Sequence, residues 1–193
     1  MPTTLLEVQR VVGEELLAAG WQASSIAVAS KPGSAWVLLD PSHRIRVRMR
    51  ADVADVMAEA TAAYPPGCPL ASPQWRLTVH HSPPTAVIAA LRAARAAHDG
   101  GTGRDRRAIA SALGAAGMRP DRSRLARALS GTTDWISPDH RTRATWTAPY
   151  RAQVGGWQIL TPAVHLDATP GIPAAVLTPL ITTVPSTRKE TRQ

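Results

Sequence analysis

The stretch His43-Arg44-Ile45-Arg46-Val47-Arg48-Met49-Arg50 alternates basic and apolar residues without a break. Side chains on a β-strand alternate between faces. The pattern therefore predicts one row of Arg44, Arg46, Arg48 and Arg50, with Ile45, Val47 and Met49 opposite. Guanidinium groups repeating every ~6.6 to 6.8 Å along a strand can follow successive phosphates of an extended single-stranded nucleic acid. A second His-Arg-x-Arg, at His140 to Arg143, adds Arg141 and Arg143, and is followed by Thr145 and Thr147 rather than further arginines. A solvated face of an antiparallel sheet carries the same pattern, with arginine also discouraging edge-to-edge association.

Other reactive side chains are sparse. His43 and His140 each stand near a carboxylate, Asp40 and Asp139, an arrangement that can serve proton transfer or metal ligation. Histidines in turns generally do neither. Adjacent His80 and His81 point to opposite faces of a regular strand and so do not converge on one metal. The single cysteine, Cys68, forms no internal disulfide, and no CxxC pair is present for zinc. The run GGTGRD lacks the Lys-Ser/Thr of a phosphate-binding loop. The expectation is a chain that is not an enzyme, with no catalytic residue, no metal site and no cofactor.

Charge and aromatic content point to a binding role. The net charge is +8 over 193 residues, which favours polyanionic partners. The excess is uneven: residues 1–103 hold nine Lys/Arg and eight Asp/Glu, whereas 104–193 hold thirteen and six. Single-strand binders add aromatic stacking platforms to a basic groove. With six Trp, two Tyr and no Phe, however, this chain must use tryptophan in its core. Trp36, Trp75, Trp135, Trp146 and Trp157 are accordingly expected inside. No apolar run reaches the ~20 residues needed to span a bilayer, and MPTTLLEVQR lacks a basic lead into an apolar signal core. A cytoplasmic location, without membrane association, is expected.

Positioning these residues requires elements that the chain writes twice. LLAAGW, AWVLLDPSHRIRVRM and WRLTVHHSPPTAVIAAL are echoed in order by LGAAGM, DWISPDHRTRATW and WQILTPAVHLDATPGIPAAVLTPL. Trp36 then corresponds to Trp135, and Trp75 to Trp157. This predicts an α+β fold of two related modules, a pseudo-twofold duplication. Each module is an antiparallel sheet of about four strands with flanking helices. The first spans 1–99, residues 100–103 form a Gly-rich hinge, the second spans 104–184, and 185–193 form a flexible basic tail. Leu5, Val8, Val12 and Leu16 mark a first helix opened by a Thr4–Glu7 capping box and closed by Gly20. Strands are expected near 26–30, 35–39, 43–50 and 75–80. A helix near 52–64, present only in the first module, follows from Val53, Val56, Met57 and Ala60. Helices near 85–98, 104–116 and 173–183 and strands near 134–136, 141–147 and 157–163 complete the reading, with 121–130 leaning to strand.

Ser137-Pro138-Asp139-His140-Arg141, with Trp157 and a Pro-led helix downstream, resembles the SPDY-domain family of actinobacterial proteins, in which the module often occurs in tandem. His140 stands where the motif ends in Tyr, and the first half has the rearranged Asp40-Pro41-Ser42. The resemblance implies a tandem repeat and no assigned activity. Four strands followed by a helix, twice, is also similar in plan to Whirly-type single-stranded-DNA-binding proteins, in topology only.

The expectation is a nucleic-acid-binding protein, preferring single-stranded DNA or RNA, with Arg44, Arg46, Arg48, Arg50, Arg141 and Arg143 neutralising phosphates. A protein-interaction or scaffold module is the alternative. A helix-turn-helix with Arg122, Arg124 and Arg127 on its second helix is a further one, against which Pro120 falls awkwardly.

Overall fold

A computed structural model of the chain describes residues 5–24, 35–50, 55–60, 74–97, 103–121, 131–149 and 155–183. Its elements run α1 (Leu5–Ala18), β1 (Gln22–Ala23), β2 (Ala35–Leu39), β3 (Ile45–Arg50), β4 (Val56–Ala60), β5 (Trp75–His81) and α2 (Pro84–Ala96). The chain continues through α3 (Gly103–Ala115), β6 (Arg119–Pro120), β7 (Thr132–Ile136), β8 (Arg143–Thr147), β9 (Gly156–Leu160), β10 (His165–Ala168) and α4 (Ala174–Thr182).

All ten strands form one sheet in the order β1-β2-β3-β4-β5-β10-β9-β8-β7-β6, and every pairing is antiparallel. The expectation of separate sheets of about four strands is corrected on two counts. Among the described residues each half of the chain contributes five strands, and β5 and β10 join the halves through Thr78↔Asp167, Val79↔Leu166 and Leu77↔Ala168. The outermost strands, β1 and β6, are two residues long, and β6 ends in Pro120. Short edges and proline limit pairing with other chains.

The helices occupy one face. Their neighbours run α1, α2, α4, α3, and the apolar strand residues point beneath them. Leu38, Val47, Met49, Ala58, Leu77, Val79, Ala144, Ile159 and Leu166 are buried there against Val12, Leu16, Val87, Leu91, Ile109, Leu113, Val176, Leu177 and Leu180. Alternation explains this side of the sheet: β5 reads buried at Trp75, Leu77 and Val79 and more exposed between them. Pro84 begins α2 where its missing N–H costs nothing. Small Ala86, Ala90 and Ala94 let that helix lie close to its neighbours. Gly20 and Gly117 adopt φ of +85° and +86°, as helix-ending residues must.

Four tryptophans are core as expected. Trp157 packs between Trp135 and Trp146, at ring-centroid distances of 5.3 and 5.0 Å, and Trp75 is buried. Trp36 is not core: it is 54 % exposed, on outer strand β2, with its ring against Gly13 of α1. Trp75 and Trp157 also do not hold equivalent places, since one opens the fifth strand of its half and the other lies on the fourth.

Residues 56–60 form a strand rather than part of a helix, because β4 pairs on both sides with β3 and β5. The capping threonine, the strand near 26–30, the hinge glycines Gly100 and Gly101, residues 122–130 with their three arginines, and the basic tail lie outside the described residues.

Candidate functional site on the open sheet face

Register places Arg46, Arg48, Met57, Glu59, Arg76, Thr78, Asp167, Gln158, Thr145, Arg143 and Asp134 on the face away from the helices. No helix covers this face among the described residues. It is the surface that sequence reasoning assigned to the arginines.

The row is shorter than expected. β3 begins at Ile45. His43 adopts a left-handed φ of 57° and Arg44 precedes the strand, so neither continues the alternation. Arg46 and Arg48 occupy the open face, and Arg50 is placed at the register position opposite Ala35. In the second half His140 has φ 59°, Arg141 lies ahead of β8 and only Arg143 is on it. Five strand spacings separate β3 from β8, or ~24 Å at about 4.8 Å per strand. The two sets of arginines do not form one stripe.

Most of these cations are already paired. Glu59 on β4, with 4 % of its side chain exposed, sits between Arg46 on β3 at 2.6 Å and Arg76 on β5 at 2.7 Å. Burial pushes the Glu59 carboxyl up, but hydrogen bonds and charge from Arg46 and Arg76 outweigh it and hold it below the usual carboxylate range. Asp134 on β7, 3 % exposed, accepts from Arg143 at 3.0 Å and from the Thr145 hydroxyl at 2.7 Å. Arg48 is exposed and has no ion-pair partner among the described residues. Fourteen arginines stand against eleven Asp/Glu among the described residues, which therefore carry +3 of the total +8.

The two Pro-containing turns use their carboxylates structurally. Asp40 accepts the N–H groups of Ser42 at 3.1 Å and of Arg44 and Ile45 at 2.7 Å, and also the Ser42 hydroxyl. Burial raises its pKa, and these hydrogen bonds outweigh that and lower it. In the other turn the serine comes first. The Ser137 hydroxyl donates to Asp139 and accepts the Thr142 N–H at 3.0 Å, while Asp139 accepts from the Arg141 N–H. The hydrogen bond from Ser137 is the main reason that Asp139 is held below its ordinary value. Both turns share a bond from the histidine N–H to the first residue's carbonyl. His43 and His140 are exposed and make no ion pair among the described residues.

The centre of the face, at the β5–β10 seam, holds a group of residues that sequence reasoning missed. His80 donates or accepts at both ring nitrogens: Nδ1 is 2.9 Å from Asp55 and Nε2 is 2.9 Å from Asp167. Burial lowers the His80 pKa, and bonds to Asp167 and Asp55 outweigh it and raise it. The His165 ring lies 4.6 Å away. Gln158 donates to the other oxygen of Asp167 at 3.1 Å. Beside them runs a shallow groove of about 370 Å³, lined by Arg76, Thr78, Thr145, Gly156, Gln158 and Asp167. The alternation in WRLTVHH does put His80 with Arg76 and Thr78. Its partners were hidden because Asp55 fell in an expected helix and β10 was not recognised.

His81 takes no part in this group, in keeping with its opposite direction on the strand. No helix among the described residues is long and apolar enough to cross a membrane. No family model, curated protein or solved structure matches the chain.

Proposed function

We propose that this is a non-enzymatic, cytoplasmic binding protein built from two related halves, and that the open face of its sheet docks a protein partner. The order of helix, five strands and helix, repeated among the described residues, supports the duplication, as do the matching left-handed histidines. The SPDY-like turn residues are consistent with a tandem module. The observation that carries the docking reading is the composition of the open face. Arg46, Arg76 and Arg143 are tied to carboxylates, and half-buried Val37, Leu39, Met57 and Ile136 and exposed Leu160 lie among them. Apolar side chains interspersed with arginine are typical of protein interfaces. The chain's positive charge would steer an acidic partner toward it.

Single-stranded nucleic acid, bound by Arg44, Arg46, Arg48, Arg50, Arg141 and Arg143, is the second reading. Exposed Arg48 and the +5 carried by residues outside the described ones favour it. One feature weighs against it: the strand tryptophans lie on the helix side of the sheet, so none of them is a stacking platform beside the arginines.

Selection from a random-peptide display library on immobilised protein tests the docking reading. Wild type should enrich segments combining Asp or Glu with apolar residues, and a folded Val37→Glu/Met57→Glu variant should not. No enrichment on wild type, or equal enrichment on the variant, rejects it.

A further inference from the structure

The group at the β5–β10 seam has the donor set and the supporting bonds of a metal centre. His80, His165 and Asp167 each offer one ligand atom, and these atoms lie within 4.8 Å of one another. Donors around tetrahedral zinc, at about 2.0 to 2.2 Å from the ion, stand ~3.4 Å apart. The His80 Nε2 to Asp167 Oδ2 distance of 2.9 Å is already close to that. His165 completes the set by a side-chain rotation that closes its separation, at most 4.8 Å, toward that spacing. Its ring nitrogens have no hydrogen-bond partner among the described residues, and the bond that the ion must displace is the one between His80 and Asp167.

Two of the three ligands are held in orientation from behind. Asp55 lies 2.9 Å from His80 Nδ1; with a proton held there, Nε2 is the nitrogen that would ligate the ion in place of its bond to Asp167. Gln158 binds Asp167 through Oδ1, which leaves Oδ2 facing His80. Carboxylate partners behind a ligating imidazole are the usual support of a metal-bound histidine. The strands that carry the ligands are central in the sheet, so their backbones are fixed on both sides. Each ligand is partly buried and still reached from the open face.

We propose that His80, His165 and Asp167 bind one divalent transition-metal ion of the zinc class, with Asp55 and Gln158 as positioning residues. Two imidazoles and one carboxylate suit zinc, cobalt or nickel, whereas magnesium and calcium call for oxygen ligands throughout. Three protein ligands leave a fourth position on the solvent side, beside the groove lined by Gln158 and Asp167. Because His80 comes from β5 and the other two from β10, the ion bridges the two halves of the chain.

The test is calorimetric titration of Zn²⁺ and Co²⁺ onto the tag-free full chain, with visible spectra of the cobalt form. One ion per chain should bind, with the intense absorption of four-coordinate cobalt, and Mg²⁺ should not compete. His165→Ala and Asp167→Asn should each weaken binding at least tenfold, and Asp55→Asn roughly 10- to 100-fold, the range for orienting partners. His81→Ala should leave it unchanged. Binding that is absent at millimolar zinc, that survives His165→Ala, or that His81→Ala removes, overturns the proposal. Imidazole ¹⁵N spectra of wild type supply the same answer without a variant. Zinc should shift the His80 and His165 nitrogens and leave those of His43 and His140 in place; shifts spread over all histidines overturn the site.

Discussion

The flanks of the open face and its central seam hold the same kinds of residue in opposite arrangements. On the flanks a nearly buried carboxylate, Glu59 or Asp134, sits beneath half-exposed guanidinium groups. At the seam a half-buried imidazole sits between carboxylates that are 30 % and 48 % exposed. On the flanks, then, the arginines compensate an anion that would otherwise be buried without a partner, and they are parts of the sheet. At the seam the charges are near water and exchangeable, so a ligand can replace one partner with another. Position, rather than residue type, separates the structural cations from the group open to chemistry.

The sharpest way to break this comparison is to remove the flank cations. Arg46→Ala together with Arg76→Ala leaves Glu59 buried and unpaired, which costs about 3 to 5 kcal/mol for an uncompensated buried charge. Urea denaturation measures it. Arg48→Ala, at an exposed site without an ion-pair partner among the described residues, should change stability by about 0.5 kcal/mol or less. Equal costs for the two changes would erase the distinction between Arg46 and Arg48.

A backbone test separates the seam's framework from its side chains. A Cβ on Gly156 would stand 2.1 Å from the Ala168 carbonyl oxygen, across the β9–β10 pair, and the residue has φ +156°. Gly156→Ala should therefore cost about 1 to 3 kcal/mol, as overpacking does, seen as a lowered urea midpoint. At the seam itself, His80→Gln in metal-free buffer should cost only about 0.5 to 1.5 kcal/mol, the net worth of an ordinary hydrogen bond.

Acid titration sharpens the comparison further. Glu59 has a folded pKa below its ordinary value of 4.5, so its contribution is complete above that value and is lost as pH falls through the folded pKa. Wild-type stability should fall over that acid range, and Glu59→Gln should flatten the fall. An unchanged acid profile in the variant would show that Glu59 contributes nothing through its charge.

What could be read from the sequence divides along similar lines. α1, α2, α3 and α4 follow from local signals: apolar spacing, Pro84 and Pro173 at helix starts, Gly20 and Gly117 at helix ends. β4 was misread because Val53, Val56, Met57 and Ala60 have helical spacing, whereas the state of 56–60 is set by pairing with β3 and β5. β10 is four residues long, between Pro162 and Pro170, and offers almost no periodicity of its own. Its omission concealed Asp167 and His165. Arg46, Arg48 and Arg143 were legible as residues of one face, whereas Arg44 and Arg141 fall ahead of their strands. The neutralisation of Arg46 was not legible, because it meets Glu59 only through a cross-strand register that no local pattern encodes.

The central claim, that the open face is built for a protein rather than for phosphates, is tested most directly by anisotropy of labelled single-stranded DNA across a range of salt. The comparison is between wild type and a folded Arg48→Ala/Arg141→Ala variant, in which the paired arginines are untouched. The account predicts that any binding is the same in both, within about twofold, with the same salt dependence. Binding at least tenfold weaker in the variant, with a shallower salt slope of the kind lost phosphate contacts produce, would contradict it and return the face to nucleic acid.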